Sequence, residues 1–381
     1  MKIRSIAEQV LMAAVIEFVA VGCNAQTDEN EAAQTEAFEV QAEQVVDGIR
    51  IGWGIGFLPN GDILVTEKSG TLYRISNGEI AAEITDGIPS DLEINGQGGF
   101  LDVELHPNYE ENGWIYFSYA SNEGGGEGSN TKIIRAKLEN DALTSVETIY
   151  KATPNSTRGQ HYGSRIVFDN NGYLFFSVGD RGNRDVNPQD INRDGGKIYR
   201  LNDDGSIPED NPFVGKDGLD AIYSYGHRNP QGMALNPATG VVWEHEHGPR
   251  GGDEVNIIEP GKNYGWPVIS YGINYNGTEF AEDTVMAGME QPVTYWDPSI
   301  APSGMEFVTS DKYPGWQGDL LVGSLKFSYI ALLDVEGNEI VGEKKLVEGT
   351  TRIRAIEEGP DGYIYLTSEG SGLYRLVPVK K

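Results

Sequence analysis

The chain has 381 residues, 39% of them hydrophobic and 23% charged, a composition that can bury a sizeable core and excludes a wholly disordered protein. Its 58 Asp and Glu against 29 Lys and Arg give a formal net charge of −29, a field that repels phosphate backbones and anionic membrane surfaces and excludes nucleic acid as a partner. A single cysteine, Cys23, excludes any disulfide within the chain, so the fold rests on packing, hydrogen bonds and any metal it holds.

Residues 1–23 read as an export signal of the lipoprotein type. "MKIR" supplies the positive start, and "VLMAAVIEFVAVG" a short apolar stretch ending in small residues. Cys23 closes it in "AVGC", which resembles the bacterial cleavage box whose thiol receives lipid. The expected location is exported and periplasmic, with anchoring to a bacterial membrane through Cys23; an incidental cysteine in a discarded signal is the alternative. No other stretch approaches the roughly 18 apolar residues that span a bilayer. Residues 24–44 are acidic, Gln-rich and poor in large apolar side chains, which reads as a flexible tether. The folded domain is expected over 45–378.

From there one pattern recurs: an alternating apolar run, a turn with Asn, Asp, Pro or Gly, then a second β-rich run. Its six copies are "GFLPNGDILVTEKSGTLYRI", "VELHPNYEENGWIYFSYA", "IVFDNNGYLFFSVGD", "MALNPATGVVWEHE", "MEFVTSDKYPGWQGDLLVGSL" and "AIEEGPDGYIYLTSEGSGLYRL". Period-2 runs joined by such turns are hairpins. Their turn centres, near 60, 108, 170, 238, 315 and 361, leave room for four short strands per unit, and no long amphipathic helix fills the gaps. Repeated hairpin units of this kind predict an all-β fold, a six-bladed β-propeller of four-stranded antiparallel blades. In such a ring, residues far apart in sequence meet at one channel mouth.

Polar and glycine-rich segments lie between the hairpins. In a chain so poor in cations, Arg228, Lys326, Arg352 and Arg354 near strand ends of different units suit a multiply charged anion, guanidinium forks being matched to carboxylates. His161 in "QHYGSR" has the side chain expected of a general base, and Asp180, at the end of the same hairpin, is placed to orient it. Zinc at His245 and His247 lacks a third ligand at familiar spacing. "HGPRGGDE" suits calcium, which takes backbone carbonyls and carboxylates.

"GQGGFLDVELHP", "YGHRNPQG", "EHGPRGGDEVNIIEPGKNYGWP", "SIAPSG", "GSLK" and "RIRAIEEGPDGYIY" occur in that order. Together they resemble the soluble sugar dehydrogenases that depend on pyrroloquinoline quinone, the aldose, glucose and sorbosone enzymes, across roughly residues 45–378. The chain lacks long insertions and is closer to the shorter aldose branch. The resemblance implies a six-bladed propeller with the quinone at the channel mouth. It implies His161 as the base that takes the proton of the sugar's C1 hydroxyl, Asp180 as its partner, and Arg228 beside the quinone carbonyl. Gln97, Arg228, Asn229, Ser299, Lys326, Arg352 and Arg354 match cofactor-contacting positions. Gly248 and Pro249 match carbonyl ligands of a calcium that touches the quinone, and Glu254 and Tyr264 a second, structural calcium site. The implied reaction is hydride transfer from C1 of an aldose to the quinone, giving a lactone. The electrons then pass to an external acceptor, a quinone or cytochrome, from a monomer or homodimer. Two alternatives remain open: a propeller that binds sugar or protein and has lost the quinone, and a calcium-dependent lactonase, for which no converging Glu, Asn and Asp set can be assigned.

Overall fold

A computed structural model describes residues 38–124, 126–349 and 351–380. Six four-stranded antiparallel sheets follow one another along the chain. The first five run over residues 52–84, 100–151, 166–225, 230–296 and 302–346, and the sixth takes the strands from 353 to 380. Among the described residues the only α-helix is Tyr109–Asn112. Each repeat read from the sequence contains the inner hairpin of one blade, so the six-bladed all-β propeller is the fold observed.

The tether needs correction. Its last residues, 38–44, belong to the strand Phe38–Val46, which pairs antiparallel with Gly372–Lys380 from Phe38↔Lys380 to Val46↔Leu373 and supplies the outer strand of blade 6. The first and last described strands therefore close one sheet. The expected signal and the anchoring Cys23 lie outside the described residues.

Large side chains between adjacent blades form the core. Tyr116 and Ile133 of blade 2 pack on Phe168, Phe176 and Tyr199 of blade 3. Trp243 and Val255 of blade 4 meet Met305 and Val322 of blade 5. Ile55 and Val65 of blade 1 meet Tyr365 and Leu373 of blade 6, which completes the ring. Burying one such side chain is worth about 1.5–3 kcal/mol, so the blades hold together mainly through these seams.

The geometry of the inner hairpins positions the site. Because first and second strands are antiparallel, the start of one and the end of the other lie at the same end of the blade. Gln97, His161, Arg228, Ser299 and Arg352 precede the inner strands Phe100–Leu105, Ile166–Phe168, Pro230–Leu235, Pro302–Phe307 and Ile353–Glu358. Lys68, Asp180, His247 and Glu369 follow the second strands Ile63–Glu67, Leu174–Val178, Val242–Glu246 and Ile364–Ser368.

Candidate active site

His161 is 8% exposed and held with φ +58°, in the left-handed region, by contacts on both sides of its backbone. Its N–H donates to Gln97 Oε1 at 2.7 Å and its carbonyl accepts from Arg181 N at 3.3 Å. That carbonyl lies so near Gly179 that a Cβ there would come within 2.3 Å of it, which is why the residue before Asp180 has no side chain. Nδ1 of His161 is 2.7 Å from Asp180 Oδ1. The same carboxylate accepts from Gly182 N at 2.6 Å and, through Oδ2, from Trp266 Nε1 at 3.0 Å. An ionised carboxylate only accepts, so Nδ1 carries the proton and Nε2 presents a lone pair. Burial and the nearby Arg228 guanidinium pull His161 below its usual range, while Asp180 pulls it back up. Burial raises Asp180, but His161 and Arg228 outweigh it and hold this carboxyl below the usual range. The result is a neutral imidazole backed by an anion, the state a general base requires.

Two cavities are reached through this pair's neighbours, and His161 itself lines neither. One, of about 390 Å³, is lined by Lys68, Gln97, Gln231, Arg352, Arg354 and Glu369 among others. The other, of about 250 Å³, is lined by Gln160, Asp180, Arg228, Trp266, Asn274 and Tyr275 among others. Gln97, which holds the His161 backbone, faces the first, and Asp180 faces the second. Arg228 is 5% exposed; its Nη1 donates to His247 O at 2.8 Å, and its guanidinium stands 5.3 Å from the centre of the Trp266 ring. Asn229 Oδ1 accepts from Gly163 N at 3.1 Å, tying the His161 segment to blade 4. Arg352 and Arg354 share the carboxylate of Glu369. Lys326 departs from expectation: it is exposed and its ammonium lies 4.8 Å from the Phe327 ring, while the lysine lining the arginine cavity is Lys68.

The "HGPRGGDE" turn is rich in oxygen. Gly248 N donates to Asp253 Oδ1 at 2.8 Å and Ala301 N to Oδ2 at 2.7 Å; burial pushes this carboxyl up to about 6. Neither the Gly248 nor the Pro249 carbonyl accepts a hydrogen bond among the described residues. Ser299 is buried beside Asp253, whose carboxylate its hydroxyl helps to stabilise.

Below the turn, Glu246 pairs across the sheet with Glu254 and Glu244 with Asn256, so all four share one face of blade 4. Burial and mutual repulsion raise Glu244 to about 7 and push Glu254 well above the usual range. His227 answers with Nδ1 at 3.3 Å from Glu246 and 3.6 Å from Glu244. Acceptors still outnumber donors: Glu244 Oε2 and Asn256 Oδ1 are buried without partners. A pocket lined by Glu246, Gly248, Glu254 and Tyr264 opens on this face. Tyr264 stacks on His227 with ring centres 4.6 Å apart and its hydroxyl accepts from Glu259 N at 2.9 Å, so the phenol is not a free ligand. His245 and His247 face blade 5 and bond the carbonyls of Gly304 and Pro302, at 3.3 and 2.6 Å.

Sequence reasoning missed Lys68, Trp266, His227, Glu244, Glu246 and Glu369. The alternation in "VVWEHEH" was a usable signal for two of them, because a strand buried on both faces cannot carry charged groups unless partners meet them.

Comparison with known proteins follows the same residues. The family described as glucose/sorbosone dehydrogenase matches residues 49–375. The aldose sugar dehydrogenase YliI of Escherichia coli is 42% identical over 342 residues, 87% of this chain and 91% of that protein. The quinoprotein glucose dehydrogenase B of Acinetobacter calcoaceticus is 29% identical over 314 residues, 73% of this chain and 61% of its own. The apo-form crystal structure of the soluble aldose sugar dehydrogenase from Escherichia coli superposes with a TM-score of 0.84 at 40% identity, covering 90% of this chain and 100% of that one.

Proposed function

The chain belongs to the glucose/sorbosone dehydrogenase family of sugar-oxidising enzymes, and we propose that it oxidises the C1 hydroxyl of aldoses to lactones with pyrroloquinoline quinone and calcium held at the channel mouth. The observation that carries this reading is the buried His161–Asp180 pair, 2.7 Å apart, with Asp180 lining one cation-lined cavity and Gln97, which holds the His161 backbone, lining another.

The residues present fit both groups. Lys68, Arg352 and Arg354 around one cavity, with Arg228 beside the next, suit a polycarboxylate, and Arg354 Nε is buried without a partner. The Gly248 and Pro249 carbonyls beside Asp253 form an oxygen set suited to calcium, and the acceptor-rich face with Glu254 suits a second ion, with the Tyr264 phenol turned elsewhere. When bound, the quinone supplies the hydride acceptor and calcium polarises it.

The protein's own part is proton handling and placement. His161 Nε2 takes the hydroxyl proton as C1 gives up its hydride, and Asp180 stabilises the imidazolium that forms. Arg228 opposes premature protonation of the base. Gln97 and Asn229 fix the backbone that carries it. The two electrons leave to an external acceptor. Export and lipid attachment at Cys23 belong to the same proposal and are tested by the mass of the mature protein.

The test is titration of the purified protein with pyrroloquinoline quinone and calcium, followed by quinone absorbance, then an aldose panel with an artificial electron acceptor. Sugar-dependent reduction that falls about 10²- to 10⁴-fold in His161→Ala, with quinone binding retained, is the expected result. Absence of quinone binding at any calcium concentration returns the protein to the class of ligand-binding propellers.

A further inference from the structure

The arginine cavity already contains a carboxylate. Strand Ile353–Glu358 pairs with Ile364–Ser368 through Ile353↔Ser368, which sets Glu369 opposite Arg352. Its backbone N–H donates to Arg352 O at 2.9 Å, so the residue is fixed at its Cα. Its side chain then spans both guanidiniums: Oε2 receives Arg352 Nε at 2.8 Å and Oε1 receives Arg354 Nη2 at 2.6 Å. These are the groups that read the carboxylates of an incoming ligand.

Three consequences follow from that arrangement. The like charges of Lys68, Arg352 and Arg354 are held together around one cavity without a ligand. The guanidiniums are oriented, Arg354 also by Gln231 Oε1 at 3.1 Å and Arg352 by Leu325 O at 3.2 Å. An incoming carboxylate must compete with one that is covalently tethered, hence present at high effective concentration. A ligand with one carboxylate gains nothing over Glu369. A ligand that engages several cations at once does.

We propose that Glu369 is a resident competitor that occupies the Arg352–Arg354 pair and gives way only to a polycarboxylate, so that it sets the anion selectivity of the cavity. This rests on the reading of that cavity as the quinone site, but its test does not require the quinone. Benzene-1,3,5-tricarboxylate and benzoate are titrated into wild type and Glu369→Gln by calorimetry, and pyrroloquinoline quinone with calcium by absorbance. Removing one negative charge a few ångströms from the ligand is expected to tighten tricarboxylate binding on the order of tenfold. Benzoate binding is expected to become measurable in the variant alone, so selectivity collapses. In wild type, independently of how the variant folds, the Arg352 Nε–H resonance is expected to move on saturation with tricarboxylate, because its acceptor changes.

Tricarboxylate binding that is unchanged or weaker in Glu369→Gln, or an Arg352 Nε–H resonance that stays in place at saturation, overturns the proposal. Tighter tricarboxylate binding with no quinone binding to either protein would sink the cofactor reading and leave this inference standing. Quinone binding that weakens in the variant would do the reverse.

Discussion

Replacing Asp180 by Asn separates what this carboxylate does for the fold from what it does for the base. Oδ1 accepts from His161 Nδ1 and Gly182 N, and Oδ2 from Trp266 Nε1. An amide has one accepting and one donating side, so one side must face a donor. Turning its oxygen toward His161 keeps the bonds to Nδ1 and Gly182 and strands the Trp266 N–H; the reverse strands the Gly182 N–H and requires the His161 proton to move to Nε2, where no described residue accepts it, so the first orientation is favoured. The His161 tautomer then survives, but the acceptor behind it is neutral. A hydrogen bond to a charged group contributes about 1.5–3 kcal/mol against about 1 for a neutral one, so the forming imidazolium loses roughly 1–2 kcal/mol and kcat/KM falls about 5- to 30-fold. The stranded Trp266 donor lowers stability by about 1–3 kcal/mol. Adding Trp266→Phe removes that donor, so the double variant regains its urea midpoint but not its rate. Because Asp180 raises His161 against burial and Arg228, the acidic limb of the pH–rate profile moves to lower pH in both variants. Steady-state kinetics across pH, paired with urea unfolding, read every part of this. A rate restored by the second substitution, or an acidic limb that moves upward, refutes the reasoning.

Gly179→Ala places a Cβ 2.3 Å from the His161 carbonyl and 2.9 Å from Asn229 Oδ1. It should lower stability by about 1–3 kcal/mol in urea unfolding and, by shifting the base about an ångström, cut kcat on the order of 10²-fold. Arg165→Met leaves the buried Asp102 without the guanidinium now 2.7 Å away and should cost about 3–5 kcal/mol by the same measurement, most of it recovered when Asp102→Asn is added. Chelator-treated protein should lose thermal stability steadily from pH 5 to 9, and added calcium should flatten the trend. The sign comes from two raised groups. Burial and Glu246 lift Glu244 to about 7, so its contribution is present below about 4.5 and is lost as pH rises to 7. His227 loses ground by burial but is lifted to about 9 by Glu244 and Glu246, so its contribution is present below about 6.5 and disappears toward 9. A melting midpoint indifferent to chelator across that range removes the ion from this face.

What could be read from the sequence is what local pattern encodes. Hairpin turns and period-2 runs are local, and the blades follow from them. Strand Phe38–Val46 escaped because its alternation is half exposed, its composition matches the acidic stretch before it, and its partner lies more than 300 residues away. His161 with Asp180, and Arg352 with Arg354, were legible because a base and a cation pair are conspicuous in a chain short of both. Glu369 was not, since one more acid among 58 Asp and Glu carries no signal until its neighbours are known. For Lys326, position near a strand end places a backbone, while the direction of a long flexible side chain depends on neighbours such as Phe327.

The sheet that joins the two chain ends has a consequence for how the protein comes into being. Blade 6 cannot be completed until Gly372–Lys380 exists to receive Phe38–Val46, so that strand gates the seam between the first and sixth blades. Seams between intermediate blades can form earlier, but the circle cannot. The channel mouth draws on every arc of that circle, from Lys68 to Glu369; the cavity beside Asp180 is built within residues 158–275, whereas the arginine cavity joins Lys68 and Gln97 to Arg352, Arg354 and Glu369 and takes shape only at closure. A ring not yet closed therefore holds the base and Arg228 beside their own cavity, while Lys68, Arg352 and Arg354 come together only when strand Phe38–Val46 docks on Gly372–Lys380.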